Sequence, residues 1–221
     1  MAGNRSTDIS VGEKNKTNIL QAAEKAFAQH GFKGTSVQRI ADAAGLPKTN
    51  VLYYFKTKQD LYQAVLKQTL SLWNSRFDLA CETDDPAETL AEYISEKMEM
   101  SRTHPMLSKI FALEILNGAP NLNPYFNDEH LHWMQGRVAI IEAWITQGKM
   151  NQVDPHYLLY TIWASTQHYA DFATQITRLR GQKMKKADFA QATTTVIQLI
   201  LNGCGLTVPP HYERSQHDQL S

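Results

Sequence analysis

At 221 residues, with 43% hydrophobic side chains, the chain is long enough for one large domain or two small ones, and its composition is that of a globular protein. Its 22 basic residues equal its 22 acidic ones, yet residues 1–60 hold nine Lys/Arg against five Asp/Glu, so the remainder is acidic to the same extent. No apolar run is long enough to cross a bilayer, and the first eighteen residues lack the apolar core of a signal peptide, so a cytoplasmic protein with no membrane partner is expected. The two cysteines, Cys81 and Cys204, are far apart and lack metal-ligand spacing; they read as free thiols of a reducing compartment.

The polar residues 1–12 read as a flexible arm. Arg5, Lys14 and Lys16 could reach phosphates or a minor groove, though an untethered terminus is the plainer reading. A first helix is expected from about Glu13 to Gln29, with Ile19, Leu20, Ala23, Ala26 and Phe27 inward and Gly31 closing it. In the next helix Val37, Ile40, Ala41 and Ala44 share one face, Thr35 or Ser36 can cap the start, and Gly45 can end it in the left-handed conformation. Pro47 suits the first turn of a second, short helix from Lys48 to Tyr54. Val51, Leu52 and Phe55 can pin that helix to its neighbour, leaving Lys48, Thr49, Asn50 and Tyr53 outward. Thr57 and Asp60 form a capping-box-like start to the helix that follows, with Lys56 and Lys58 beside it.

Two short helices across a tight turn make a helix-turn-helix pattern, whose second helix reads base edges in the DNA major groove. The residue types suit that work: Lys48 is long and cationic, the Asn50 amide matches adenine, Thr49 offers a hydroxyl and a methyl, and Tyr53 reaches phosphate. A plain helical hairpin with a polar second helix has the same spacing.

The helix opened at Thr57 is expected to continue without a breaker through Leu61, Val65, Leu72 and Trp73 to about Leu79, a natural coupler between two units. Asp85, Pro86 and Glu88 start another, carrying Leu90, Tyr93, Ile94 and Met98. His104-Pro105 ends it and opens a helix with Leu107, Ile110, Phe111, Ile115 and Leu116, broken by Gly118 and Pro120. Further helices are expected from about Tyr125 to Gln147, from Asp154-Pro155 to about Arg180, and from about Ala187 to Leu201. Strand-like alternation is weak, so the fold class is all-α with about nine helices. The tail from Leu206 is polar and gains order only by docking.

Glu129 and His132 make half of a di-iron carboxylate pattern, but a second copy and two further facing glutamates are missing. There is no phosphate-cradling glycine loop and no nucleophile elbow, so neither an enzyme nor a cofactor is expected. Residues 162–173, IWASTQHYADFA, are more informative, because Trp163, Thr166, Gln167 and Ala170 fall on one helix face. An indole beside a primary amide suits a flat polar heterocycle, the amide matching one donor and one acceptor of a lactam edge. The plainer alternative makes Trp163 core and gives Gln167 an internal hydrogen bond.

Residues 27–66 resemble the N-terminal domain of the TetR family of transcriptional repressors. The match lies in the spacing of Phe27, Gly31 and Phe32, the Gly34-Thr35 step, the Tyr54-Phe55 pair and the step from Lys58 to Leu61. Three further segments, residues 48–55 (KTNVLYYF), 114–120 (EILNGAP) and 162–173, resemble the Rut-type pyrimidine-utilisation branch, over most of the chain from about Ala23 to Asp188. The resemblance implies a homodimeric repressor that binds a double-stranded DNA operator and is released by uracil, and by thymine as a second effector. Its domains would be the arm (1–12), a helix-turn-helix unit (13–58), an effector-binding and dimerisation unit (59–205) and a tail (206–221). The matching positions are Thr35, Gln38, Lys48, Thr49, Asn50, Tyr53, Tyr54 and Lys58 toward DNA, and Trp163 and Gln167 toward effector, with Trp73 as a further wall. Leu158, Ile162, Val196, Leu199 and Ile200 are apolar candidates for burial in the protomer or the dimer. Two other readings remain at this level: a repressor sensing a drug or lipid-like molecule, and a helical interaction module without DNA function.

Overall fold

The helices start where side chains satisfy their free backbone amides. Ser36 accepts from the Arg39 amide, Asp85 from Ala87 and Glu88, and Asp154 from His156 and Tyr157. Thr57 and Asp60 bond reciprocally, the Asp60 amide donating to the Thr57 hydroxyl and the Thr57 amide to the Asp60 carboxylate, as a capping box requires. The computed structural model describes residues 11–73, 77–122 and 128–213, excepting the side chains of residues 72, 73 and 128–130.

Among the described residues there are ten α-helices and two 3-10 turns, and no strand. The helices are α1 (Val11–Gly34), α2 (Val37–Ala44), α3 (Lys48–Tyr54), α4 (Lys58–Trp73), α5 (Pro86–Thr103) and α6 (Pro105–Leu116), then α7 (Asp128–Thr146), α8 (Pro155–Asp171), α9 (Ala173–Arg180) and α10 (Lys186–Gly203). The arm lies outside the described residues except for 11 and 12, which already belong to α1. Gly31, at φ 66° and ψ 177°, breaks α1 where closure was expected. Gly45 ends α2 in the left-handed region, and Pro47 stands just before α3 rather than in its first turn.

Two differences from the sequence reading have physical causes. The coupling helix does not continue as α-helix to Leu79: α4 is described to Trp73, and a 3-10 turn follows at Phe77–Leu79. Phe77 is captured there, buried at 1%, stacked on Tyr93 at 4.6 Å, with the Arg137 side chain donating to its carbonyl. The expected long helix from Pro155 to Arg180 is two helices, α8 and α9, broken at Phe172 (φ −107°, ψ 21°). No glycine or proline marks this break; Asp171 is held by the Ser108 hydroxyl at 2.6 Å and the Phe172 ring turns out to stack on His168 at 4.7 Å. The tail docks at its start, with Leu206 and Val208 entering the core and a 3-10 turn at Pro210–Tyr212.

Two apolar clusters divide the molecule. One joins α5, α7, α8 and α10 around Leu90, Ile94, Trp144, Ile162 and Ile197. The other joins α1 to α4 but also takes Leu107 and Ile110 from α6, so α6 packs into the body of the helix-turn-helix unit. Leu158, Ile162, Val196 and Ile200 all lie in the protomer's own core, while Leu199 is 71% exposed. No described helix is long and apolar enough to cross a membrane.

Candidate functional site

The turn between α2 and α3 presents α3 outward. Val51 and Phe55 are buried against the unit's core, which fixes the helix's rotation. Lys48 and Thr49 are exposed, Asn50 and Tyr54 half-buried, and Tyr53 is 82% exposed with its ring edge-on to Tyr54 at 5.3 Å. On α2, Gln38 is exposed and its amide donates to Asp42 at 2.8 Å. An aromatic standing in solvent among a lysine, a threonine and an amide lacks a packing reason, and the set can meet both phosphates and base edges.

Two of the residues assigned to this surface by resemblance face the interior. Thr35 is 2% exposed, and its hydroxyl donates to the Ala26 and Gly31 carbonyls at 3.1 and 2.8 Å. Ser36, not Thr35, caps α2. The Lys58 ammonium donates to the Phe32 and Thr35 carbonyls at 2.8 and 2.9 Å and lies 4.4 Å above the Phe32 ring. Both side chains collect carbonyls around the break at Gly31, a place no local spacing rule reveals.

The second site is on α8. Trp163 and Gln167, one turn apart, are both half-buried at the edge of the helix's core face. The Trp163 indole donates to the Tyr93 hydroxyl at 2.8 Å, and the Tyr160 ring stands 5.7 Å from it. The Gln167 amide has no hydrogen-bond partner among the described residues, so the internal bond of the plainer alternative is not made there. Trp73 ends α4, and its side chain lies outside the described residues.

Tyr93 and Lys97, one turn apart on α5, join this region and were not singled out from sequence. Burial, opposed by the Trp163 bond, pushes the Tyr93 phenol well above its ordinary pKa. The Lys97 ammonium is 5.5 Å from the Tyr93 ring, and burial lowers its pKa to about 8, against an opposing pull from Glu96. A lysine beside Tyr93, Ile94 and Met98 on an apolar helix face was the available signal.

A third group fastens α6 to α4 inside the helix-turn-helix body. Glu114 of α6 is 4% exposed and accepts from the Tyr62 hydroxyl at 3.1 Å, the Asn121 amide N–H at 2.6 Å and the Asn121 side chain at 3.0 Å. Burial first, then the neighbouring carboxylate and its hydrogen bond, raise the Tyr62 pKa. Of the di-iron half-motif, Glu129's side chain lies outside the described residues, which contain no group of three or more His, Cys, Asp or Glu suited to a metal.

Residues 19–65 match the family described as bacterial regulatory proteins, tetR family, and residues 66–207 match the YcdC-like protein C-terminal region. The HTH-type transcriptional regulator RutR of Escherichia coli strain K12 is 40% identical over 199 residues, spanning 90% of this chain and 92% of its own. The HTH-type transcriptional repressor NicS of Pseudomonas putida is 31% identical over 120 residues, 51% of this chain and 55% of its own. The solved structure of AibR in complex with isovaleryl coenzyme A and operator DNA has a TM-score of 0.62 at 18% identity, covering 84% of this chain and 97% of that one. At that identity the likeness carries the fold alone. The curated relatives are regulators of transcription, not enzymes.

Proposed function

The chain belongs to the tetR family of bacterial regulatory proteins, and from that premise we propose that it is a homodimeric repressor of pyrimidine utilisation, released from its operator by uracil and, second, by thymine. That it is a DNA-binding transcription regulator follows from the family; the effector and the dimer are the step beyond it. The 40% identity to RutR across 90% of the chain carries the reading.

The geometry supports it in three places. Lys48, Thr49, Asn50 and Tyr53 supply the base and phosphate contacts of α3, with Gln38 and Tyr54 beside them. Trp163 and Gln167 hold the effector, the ring against the indole and the amide against the lactam edge. The outward faces of α8 and α10 carry Tyr157, Tyr160 and Leu199 at 68%, 48% and 71% exposure, a surface suited to a second copy. In a dimer the two α3 helices must stand ~34–36 Å apart to enter successive major grooves. Uracil lowers operator affinity only as far as it binds the released state better than the DNA-bound one.

The test is thermal unfolding with uracil, thymine, cytosine and uridine. Uracil at a hundredfold excess over its Kd stabilises by about 2.7 kcal/mol, which raises the midpoint by several degrees, while uridine leaves it unchanged. Gln167→Ala is expected to abolish the uracil shift and keep both the unliganded midpoint and operator affinity. No shift with any pyrimidine, or collapse of folding in Gln167→Ala, rules this effector site out.

A further inference from the structure

Tyr169 lies two residues past Gln167, about 200° around α8 at 100° per residue, so it serves a different face of the helix. There it lines a cleft of about 460 Å³ where the end of α5, α9, the 181–185 linker and the start of α10 converge. That volume is within the ordinary range for small-molecule pockets. Tyr169 and Phe189 form one wall, their rings 6.2 Å apart, and Ile176 and Met184 contribute further apolar surface.

The charge lining this cleft has one sign. Arg102, Arg178 and Lys183 border it and no carboxylate does. The nearby acids are engaged: Glu99 holds the Arg102 guanidinium, and Asp188 holds Arg180 at 2.5 Å while accepting from the Lys185 amide. Arg178 and Lys183 make no ion pair among the described residues. Two uncommitted cations at the rim of an aromatic and aliphatic cleft call for an anion with an apolar body. A neutral heterocycle would leave both cations unused.

We propose that this cleft is a second binding site, separate from the Trp163–Gln167 face, for a small amphipathic carboxylate, an aromatic or short-chain acid. Its apolar body lies against Tyr169, Phe189, Ile176 and Met184, and its carboxylate meets Arg178 and Lys183 in charge-assisted hydrogen bonds. The site sits where α8 gives way to α9, so an occupant bridges the outer helices to α5.

The experiment is calorimetric titration of the full chain with benzoate and hexanoate. Benzyl alcohol and hexanol test the apolar body alone, and sulfate tests the charge alone. Both carboxylates are expected to bind, and each single-feature control to bind at least tenfold more weakly. Arg178→Gln with Lys183→Gln, changes at exposed positions, should keep the unfolding midpoint and lose roughly tenfold or more in carboxylate affinity. Thr177→Glu, which puts a carboxylate into the lining, should abolish binding. The proposal is overturned if neither acid binds at millimolar concentration, if alcohol and acid bind alike, or if the double variant or Thr177→Glu binds as the parent chain does.

Discussion

Lys97 is 4% exposed, and its ammonium lies near the Tyr93 ring rather than in water. Burial disfavours the charged form, which lowers its pKa from 10.5 to about 8. The sign of the resulting pH dependence follows from proton counting. Below the folded-state pKa both states hold the proton, and the folded state carries the cost of a desolvated charge. Between about pH 8 and 10 the unfolded chain binds more protons than the folded one, so stability rises with pH. Lys97→Met keeps the length and removes the charge. It is expected to raise stability at pH 7 by on the order of 2 kcal/mol and to flatten the profile of midpoint against pH from 8 to 9.5. That window stays below the range where buried tyrosines titrate. A lower midpoint at pH 7 would show instead that the ammonium is held by partners worth more than its desolvation.

At the scale of the element, the helix-turn-helix unit separates exposed residues proposed to meet DNA from residues that hold the unit together. Thr35→Val and Lys58→Met each strip hydrogen bonds from buried or half-buried carbonyls, and each is expected to cost about 1–3 kcal/mol of stability. Lys48→Ala and Tyr53→Ala remove only exposed groups, so the midpoint should stay within about 0.5 kcal/mol while operator affinity falls. Where Lys48 meets a phosphate, its loss also lowers the salt slope of binding by roughly one. Thermal unfolding and anisotropy at several salt concentrations distinguish the two classes, and equal loss of stability in all four variants would refute the division.

The same unit shows what a sequence can and cannot reveal. Ser36, Gly45 and the Thr57–Asp60 box act on neighbours within four residues, so spacing alone located α2 and the start of α4. Thr35 and Lys58 act on carbonyls exposed by the Gly31 break and brought near by folding, Lys58 across 26 residues of chain; resemblance assigned both to the DNA surface, and no local spacing shows these bonds. The α8–α9 break has no glycine or proline, and its cause is a tertiary grip on Asp171 from α6. In the second site Trp163 and Gln167 were legible as neighbours on one helix, whereas Tyr93 and Lys97 come from a helix about seventy residues earlier.

For the whole molecule the question is how an event at α8 reaches α3. Apolar packing makes α6 part of the DNA-binding body, and the Glu114 carboxylate fastens α6 to α4 through Tyr62. On its other side α6 packs against α8, with Ser108 holding Asp171. In the proposed mechanism a displacement of α8 enters the helix-turn-helix body through α6, and the Tyr62–Glu114 bond is one of the links that pass it on to α4. Tyr62→Phe removes that bond and leaves both Asn121 donors on the carboxylate, so the fold should survive with a loss of about 1–2 kcal/mol. Coupling is reciprocal: with uracil as the proposed effector, the factor by which it weakens operator binding is the factor by which operator weakens uracil binding. In Tyr62→Phe both factors are expected to shrink together, by about threefold or more for a coupling of typical size, with each ligand's affinity in the other's absence close to that of the parent chain. The measurement is a complete cycle, operator titrated with and without uracil and uracil with and without operator. An unchanged coupling factor would mean that α4 carries the signal without this bond.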